Sequence, residues 1–258
     1  MAAITKNYVT IKNEGEVFKV YREIKKKKLI LDNRKPYSKE TAEYINEINL
    51  ADWIYTCMKL DGSAIGKTGV QRILKGEFIV EVSVSDHSAV GYWQDAIRTA
   101  YAMAELGDEL TEKSLLRFYQ ILVNPGRLEY RRTNPVLIML DYIPPHPSEI
   151  EEQMEILFQW LEAYDFQGNP ILRAAYLHNK LVEIYPYETG SEAVARMAMY
   201  YELIRNGYPP VLLNLSETEY YAAIRSYLKK EEIQPLYEPL ERGVYNKLEI
   251  MMQLTCAP

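Results

Sequence analysis

The stretch Tyr185-Pro186-Tyr187-Glu188-Thr189-Gly190-Ser191-Glu192-Ala193-Val194-Ala195-Arg196 gathers the residue types most able to do chemistry in this chain. Gly190 and Ser191 stand where a helix is expected to begin, and a helix N-terminus offers unpaired N–H groups and the positive end of the dipole. Gly190 permits close approach, Ser191 is a good N-cap, and Arg196 lies about one and a half turns further on, able to point back. That combination suits an anion such as a phosphate. Base chemistry is less well served: a phenol such as Tyr185 titrates near ~10, and Glu188 is the nearest carboxylate before Gly190. Arg196 has a second reading, an ion pair with Glu192 four residues earlier on the same helix face. Tyr185 and Tyr187 have a packing reading in a chain with 22 tyrosines and 5 phenylalanines.

Other candidates carry less. Gly62 to Thr68 reads G-x-x-x-G-K-T, one residue short of a P-loop, and it follows a helical pattern where a P-loop needs a strand. His178 shares the stripe Ile171, Ala174, His178, Leu181, as a core histidine would, and is also the titratable base nearest the loop in sequence. His87 and His146 lack partners at ligand spacing, so no metal ligands are assigned. Cys57 and Cys256 have neither metal spacing nor a disulfide framework, which makes a reducing cytoplasm the default location. A net charge of -6 argues against broad nucleic-acid binding. No apolar run approaches membrane-spanning length, and no signal core opens the chain, so no membrane partner is expected.

The elements that must position these groups are mostly helices. Residues 1–36 are expected to form short strands or irregular structure, with Lys25-Lys26-Lys27-Lys28 on a solvated face. A helix opens at Ser38 and ends near Asp61-Gly62; a shorter one through Val70, Ile73 and Leu74 stops at Gly76. Glu77 to Asp86 alternates like a strand or an extended connector. Helices follow from Tyr92 to Glu105 and from Thr111. After Asn124-Pro125-Gly126, the segment Leu128 to Ile143 reads as a hairpin or flap. Ser148 with Glu151 is a capping-box signature, Asn169-Pro170 opens the helix that leads into the loop, and Ser191 to Asn206 follows it. Ser216 with Glu219 repeats the box, and Pro235 starts the last helix.

The loop resembles the active-site motif of the Fic (Fido) family, H-P-F-x-D/E-G-N-G-R-x-x-R, with Pro186, Gly190 and Arg196 matching in register. Leu110-Thr111-Glu112 through Tyr119, Gly126 with Tyr130-Arg131, Pro144-Pro145, Ala174-Ala175-Tyr176-Leu177-His178, Gly207-Tyr208-Pro209-Pro210 and Tyr220-Tyr221-Ala222-Ala223 extend the resemblance over about residues 110–240. It implies a mainly α fold: the Fic helical core with a β-hairpin flap, residues 91–258, and a small α+β N-terminal extension, residues 1–90. It also implies AMP transfer from ATP, with Mg²⁺, to protein hydroxyls. Against that pattern Tyr185 replaces the basic histidine, Thr189 the metal-binding acid, Ser191 an asparagine, Glu192 a glycine and Ala193 an arginine. Glu188 stands one residue before the acid's place. Gly62 to Thr68 resembles the family's inhibitory helix, with Gly66 where the glutamate would be.

The expectation is therefore a Fic-type protein impaired in AMP transfer, acting as a signalling or partner-binding module. Gly190, Ser191, Arg196 and Glu188 would form a residual phosphate site, with Tyr185 at the histidine position and no cofactor firmly assigned. Val136, Ile138 and Leu140 of the flap would dock a protein target, and a homo-oligomer is compatible with the resemblance. The alternative is an active transferase that uses Glu188, His178 or Tyr185 in unfamiliar roles, or acts on another phosphate-containing substrate.

Overall fold

The computed structural model describes residues 14–124, 127–209, 211 and 213–255; Gly126, Pro210 and Cys256 lie outside them, as do residues 1–13. Ten α-helices and three short 3-10 turns make up the regular structure of the described residues. At the centre lies α8 (Ser191–Arg205), buried without a break from Val194 to Ile204. A helix buried on nearly every face is stable only when others surround it. Its neighbours include α7 (Pro170–Ile184), α4 (Val84–Glu105) and α5 (Glu112–Val123). Trp53 of α2 (Lys39–Leu60) is fully buried and meets the Tyr200 ring edge-on at 4.4 Å.

Short-range signals set most helix starts. Ser38, Thr111, Asn169 and Ser216 each accept an N–H from the first turn of the helix they open. Capping of this kind stabilises by roughly 1 kcal/mol per site. Ser216 and Glu219 form the full box at the head of α9 (Glu217–Lys230). At α6 (Ile150–Ala163) the box does not form: a 3-10 turn, Pro147–Glu149, precedes the helix, and the His146 ring accepts the Ser148 N–H. α3 (Lys67–Leu74) ends against Gly76 at φ +87.

Three expectations are corrected. Residues 14–33 form a helix, α1 (Glu14–Asn33), where strands were expected. Tyr21, Ile24 and Leu31 recur at helical spacing and are buried, and α1 lies along α10 (Gln234–Leu254). The lysine run sits on this helix: Lys28 pairs with Asp32 at 2.7 Å, and Lys27 lies 4.7 Å over the Tyr245 ring. Second, α4 begins at Val84, where Tyr92 was expected, and of the two readings for Glu77 to Asp86 the connector holds for Glu77 to Ser83 and the strand does not; Ile79 is buried while Phe78 and Val80 are exposed.

Third, no strand forms among the described residues of the flap segment; one antiparallel bridge, Leu137 to Tyr142, encloses a 3-10 turn at Ile138–Leu140. The backbone explains why. The N–H groups of Arg131, Arg132 and Thr133 are spent on the Pro186 carbonyl and the Glu188 carboxylate, and Pro135, Pro144 and Pro145 have none to give. The tip is tied to α9 by Arg225 on the Met139 carbonyl and Lys229 on Asp141. Of the expected docking residues Val136 and Ile138 face solvent, 64% and 84% exposed, whereas Leu140 is in the core at 1%.

Candidate functional site

The loop between α7 and α8 begins with a reversal at Tyr185, which caps α7 in the left-handed region (φ 49, ψ 62) and donates its N–H to Leu181 O. Pro186 follows and cannot extend the helix. Tyr187 turns inward, fully buried and stacked on Tyr119 at 4.0 Å; its hydroxyl finds no hydrogen-bond partner. Ser191 closes the loop: its Oγ accepts the Tyr187 N–H at 2.8 Å and donates to the Tyr187 carbonyl at 3.1 Å. The N-cap of α8 is therefore Gly190, one residue earlier than expected, at φ +74 with no side-chain cap. A Cβ there would stand 2.2 Å from Val123 Cγ2, so both conformation and space require glycine.

Arg131 fastens this loop to the flap segment. Its guanidinium is 2% exposed and donates to the carbonyls of Tyr185 (2.7 Å), Thr133 (2.8 Å), Ile184 (3.3 Å) and Pro145. No carboxylate bonds it, and burial lowers its pKa. A planar fork of donors is what four converging carbonyls need. Glu188 completes the clasp from the other side, accepting from Arg132 N (2.7 Å), Thr133 N (3.1 Å) and Thr133 Oγ1 (2.6 Å). The Thr133 hydroxyl and those backbone N–H groups hold its carboxyl below the usual range.

Arg196 is fully buried. Its Nη2 bonds Asp61, the residue that caps α2, and Nη1 lies 3.4 Å from Tyr220 Oη. Its guanidinium carbon stands 5.8 Å from both the Trp93 and the Tyr220 ring centroids. Burial opposes the charge, but Asp61 and its neighbours hold the guanidinium protonated well above its ordinary range. Tyr220 passes the chain of contacts on to His178 Nε2 at 2.7 Å, and His178 Nδ1 meets Asn179 Oδ1 at 3.3 Å. His178 is fully buried, and burial pulls its pKa down to about 3. It is a neutral core histidine held between Tyr220 and Asn179.

Each group read from the sequence thus has a definite engagement. Tyr185 is half-buried, its phenol pushed up to about 12 by burial and then by Glu192, against Arg131. Such a phenol is protonated at neutral pH and is a poor base. Glu188 and Ser191 spend their side chains on the flap and the loop. Glu192 does not pair with Arg196; it is part-buried, and burial raises its carboxyl's pKa although Arg196 and Tyr221 oppose the shift. An anion at the start of α8 would find free N–H groups but would stand beside that carboxylate. At the motif's acid position stands Thr189, which has no carboxylate to offer a metal-bound nucleotide, and the carboxylate next to it, Glu188, is engaged by the Arg132 and Thr133 N–H groups and the Thr133 hydroxyl.

Sequence reasoning missed Asp61 as the partner of Arg196. It sits immediately before Gly62-Ser63-Ala64-Ile65, the segment resembling an inhibitory helix, five residues ahead of the expected glutamate position at Gly66. The acid was visible as the last residue before a helix-ending glycine, but nothing local links it to a residue 135 positions away. Arg131 was noted as part of a motif; only the structure gives it a task.

Comparison with known proteins places these features. The Fic/DOC family profile matches residues 109–203. Protein adenylyltransferase fic-1 of Caenorhabditis elegans is 25% identical over 67% of this chain and 35% of its own length. Protein adenylyltransferase Fic of Nematostella vectensis is 26% identical over 78% of this chain and 48% of its own. The chain thus spans between a third and a half of these relatives. In fold it is similar to a Fic domain containing signaling protein from Bacteroides thetaiotaomicron (TM-score 0.79, 20% identity, 92% of this chain and 96% of that one). C. elegans Fic-1 is also similar (TM-score 0.76, 21% identity, 92% and 72%).

Proposed function

We propose that this chain, which matches the Fic/DOC family over residues 109–203 and is similar in fold to Fic-domain proteins, keeps that scaffold as a partner-binding module and has lost base-catalysed AMP transfer. The observation that carries this reading is the engagement of Arg196. The last arginine of the motif is fully buried, paired with Asp61 and flanked by two rings; its one unpartnered donor, Nε, is itself buried and out of reach of a phosphate in solvent. Transfer also needs a base with a pKa near the working pH, and Tyr185 stands in that place with its pKa raised to about 12. What the scaffold still presents is the flap tip, where Val136, Ile138, Met139 and Ile143 are 55% to 84% exposed. Four exposed apolar side chains on one short segment suit an interaction surface, and we assign them to a protein partner docked along residues 136–143. The lone bridge between Leu137 and Tyr142 means docking would not extend an existing strand ladder.

The test is incubation with ATP and Mg²⁺ or Mn²⁺, read by intact mass of the protein and of added target proteins. No adduct is expected. A stoichiometric adduct that disappears in Tyr185→Phe or Glu188→Ala would overturn the proposal and establish a transferase with an unfamiliar base.

A further inference from the structure

A cleft of about 350 Å³ opens between α1, α2, α4, α10 and the turn that follows α8, and no residue of the motif loop lines it. On α2, Ala42, Ile45, Asn46 and Asn49 line it at the spacing that keeps side chains on one helix stripe. Leu31, Ile204 and Leu248 make its walls apolar, and Tyr37, Tyr101 and Tyr208 add ring surface.

Asn49 supplies the pointer to a ligand. It is 7% exposed, at a place in the stripe that suits an apolar residue. Neither its amide oxygen nor its amide nitrogen has a hydrogen-bond partner among the described residues. The Tyr101 hydroxyl, also on the lining, has none among them either. A buried amide without partners is unfavourable, and a ligand that meets both its ends restores the hydrogen bonds lost from water. Asparagine sets an acceptor beside a donor, so its complement is an edge that sets a donor beside an acceptor.

The charges of the lining cancel. Lys28 and Lys35 both pair with Asp32, at 2.7 and 2.8 Å, and Glu105 is the fourth charged group. With two charges of each sign, an ionic ligand gains no net attraction and a neutral one is not opposed. The volume lies at the small end for ligand pockets, which suits a compact ring compound.

We propose that this cleft binds a small, neutral aromatic amide, whose N–H and C=O pair with the Asn49 side chain. The same edge occurs as a carboxamide on a ring or as a lactam within one, and flat rings pack well against tyrosines.

Calorimetric titration of the whole chain with nicotinamide and with uracil tests it, the first carrying the carboxamide edge and the second the lactam. Saturable one-to-one binding is expected for at least one of them. Each has an analogue without the donor: nicotinate, whose amide is exchanged for a carboxylate, and 1,3-dimethyluracil, which has no N–H. The analogue of the amide that binds should be at least about tenfold weaker. Asn49→Leu keeps the volume and removes only an unpartnered amide, so it should fold, checked by circular dichroism, and weaken binding about tenfold. Ala104→Phe should block the cleft. No saturable heat with either amide, an analogue that binds as tightly, or undiminished binding by Asn49→Leu overturns the proposal. The analogue comparison uses the unaltered chain and decides whatever a variant does to folding.

Discussion

Asp61→Ala removes the carboxylate from a guanidinium that has no exposure of its own. The two ends of this pair differ: the Arg196 side chain is 0% exposed and that of Asp61 42%. Breaking a fully buried pair costs about 3–5 kcal/mol, and an exposed pair contributes about 0–1 kcal/mol. Water can reach the space Asp61 leaves, and the Tyr220 hydroxyl and two ring faces still attend the guanidinium, so the loss should fall near 2 kcal/mol. For a chain of this size that corresponds to a drop in Tm of about 4–8 °C. Urea denaturation followed by far-ultraviolet circular dichroism gives the free energy directly. Glu192→Gln is the control, since Glu192 is the acid that helix spacing would have chosen as the partner. A loss below ~0.5 kcal/mol for Asp61→Ala, or an equal loss for Glu192→Gln, would refute the assignment of Asp61 as the counter-charge.

Three further outcomes follow from the geometry. Gly190→Ala forces a positive φ and a Cβ into Val123, and should cost about 2–4 kcal/mol in the same denaturation assay. Tyr187→Phe deletes a buried hydroxyl that has no partner, and should be neutral or stabilising by up to about 1 kcal/mol; a clear loss would show that the hydroxyl is bonded. For pH, His178 has its pKa lowered from 6.5 to about 3, so its contribution to stability is full above 6.5 and drains away as pH falls. Glu241, buried against the Tyr237 hydroxyl, has its pKa raised from 4.5 to about 7, so its contribution is full below 4.5 and drains as pH rises. The two slopes oppose between 4.5 and 6.5. Glu241→Gln should therefore steepen the rise of stability with pH in that window by about 1 kcal/mol per unit, and unchanged slope would refute the reading.

What could be read from residues alone was what is decided locally. The helix starts at Ser38, Thr111, Asn169 and Ser216 depend on a side chain and an N–H two or three residues on, so short windows contain the whole interaction. The frame Pro186, Gly190, Arg196 was readable for the same reason. α1 was misread because its paired apolar residues and lysine run fit alternation as well as helical spacing until α10 supplies a face to pack against. The flap was misread because Val136, Ile138 and Leu140 do alternate, yet the backbone groups that a hairpin would pair with itself go to Pro186 and Glu188. Ser191 had the right chemistry for a cap, but the Tyr187 backbone claims its hydroxyl. At the site, every distant partner was invisible: Arg131 for the Tyr185 carbonyl, Tyr220 for His178, Asp61 for Arg196.

The separation of 135 positions between Asp61 and Arg196 also sets a schedule for the newborn chain. At translation rates of about 5–20 residues per second, α2 waits on the order of ten seconds before α8 exists. During that interval Trp53 and Cys57 have no α8, and so no Tyr200 ring or Arg196, to cover them. Closing so long a loop carries an entropy cost that is met only when the whole face docks at once. A fragment beginning near residue 91 would meet the reverse problem, with Arg196 lacking Asp61 and the Tyr200 ring lacking Trp53. The early helices α1 to α3 are thus a cover for the later core, made first and used last.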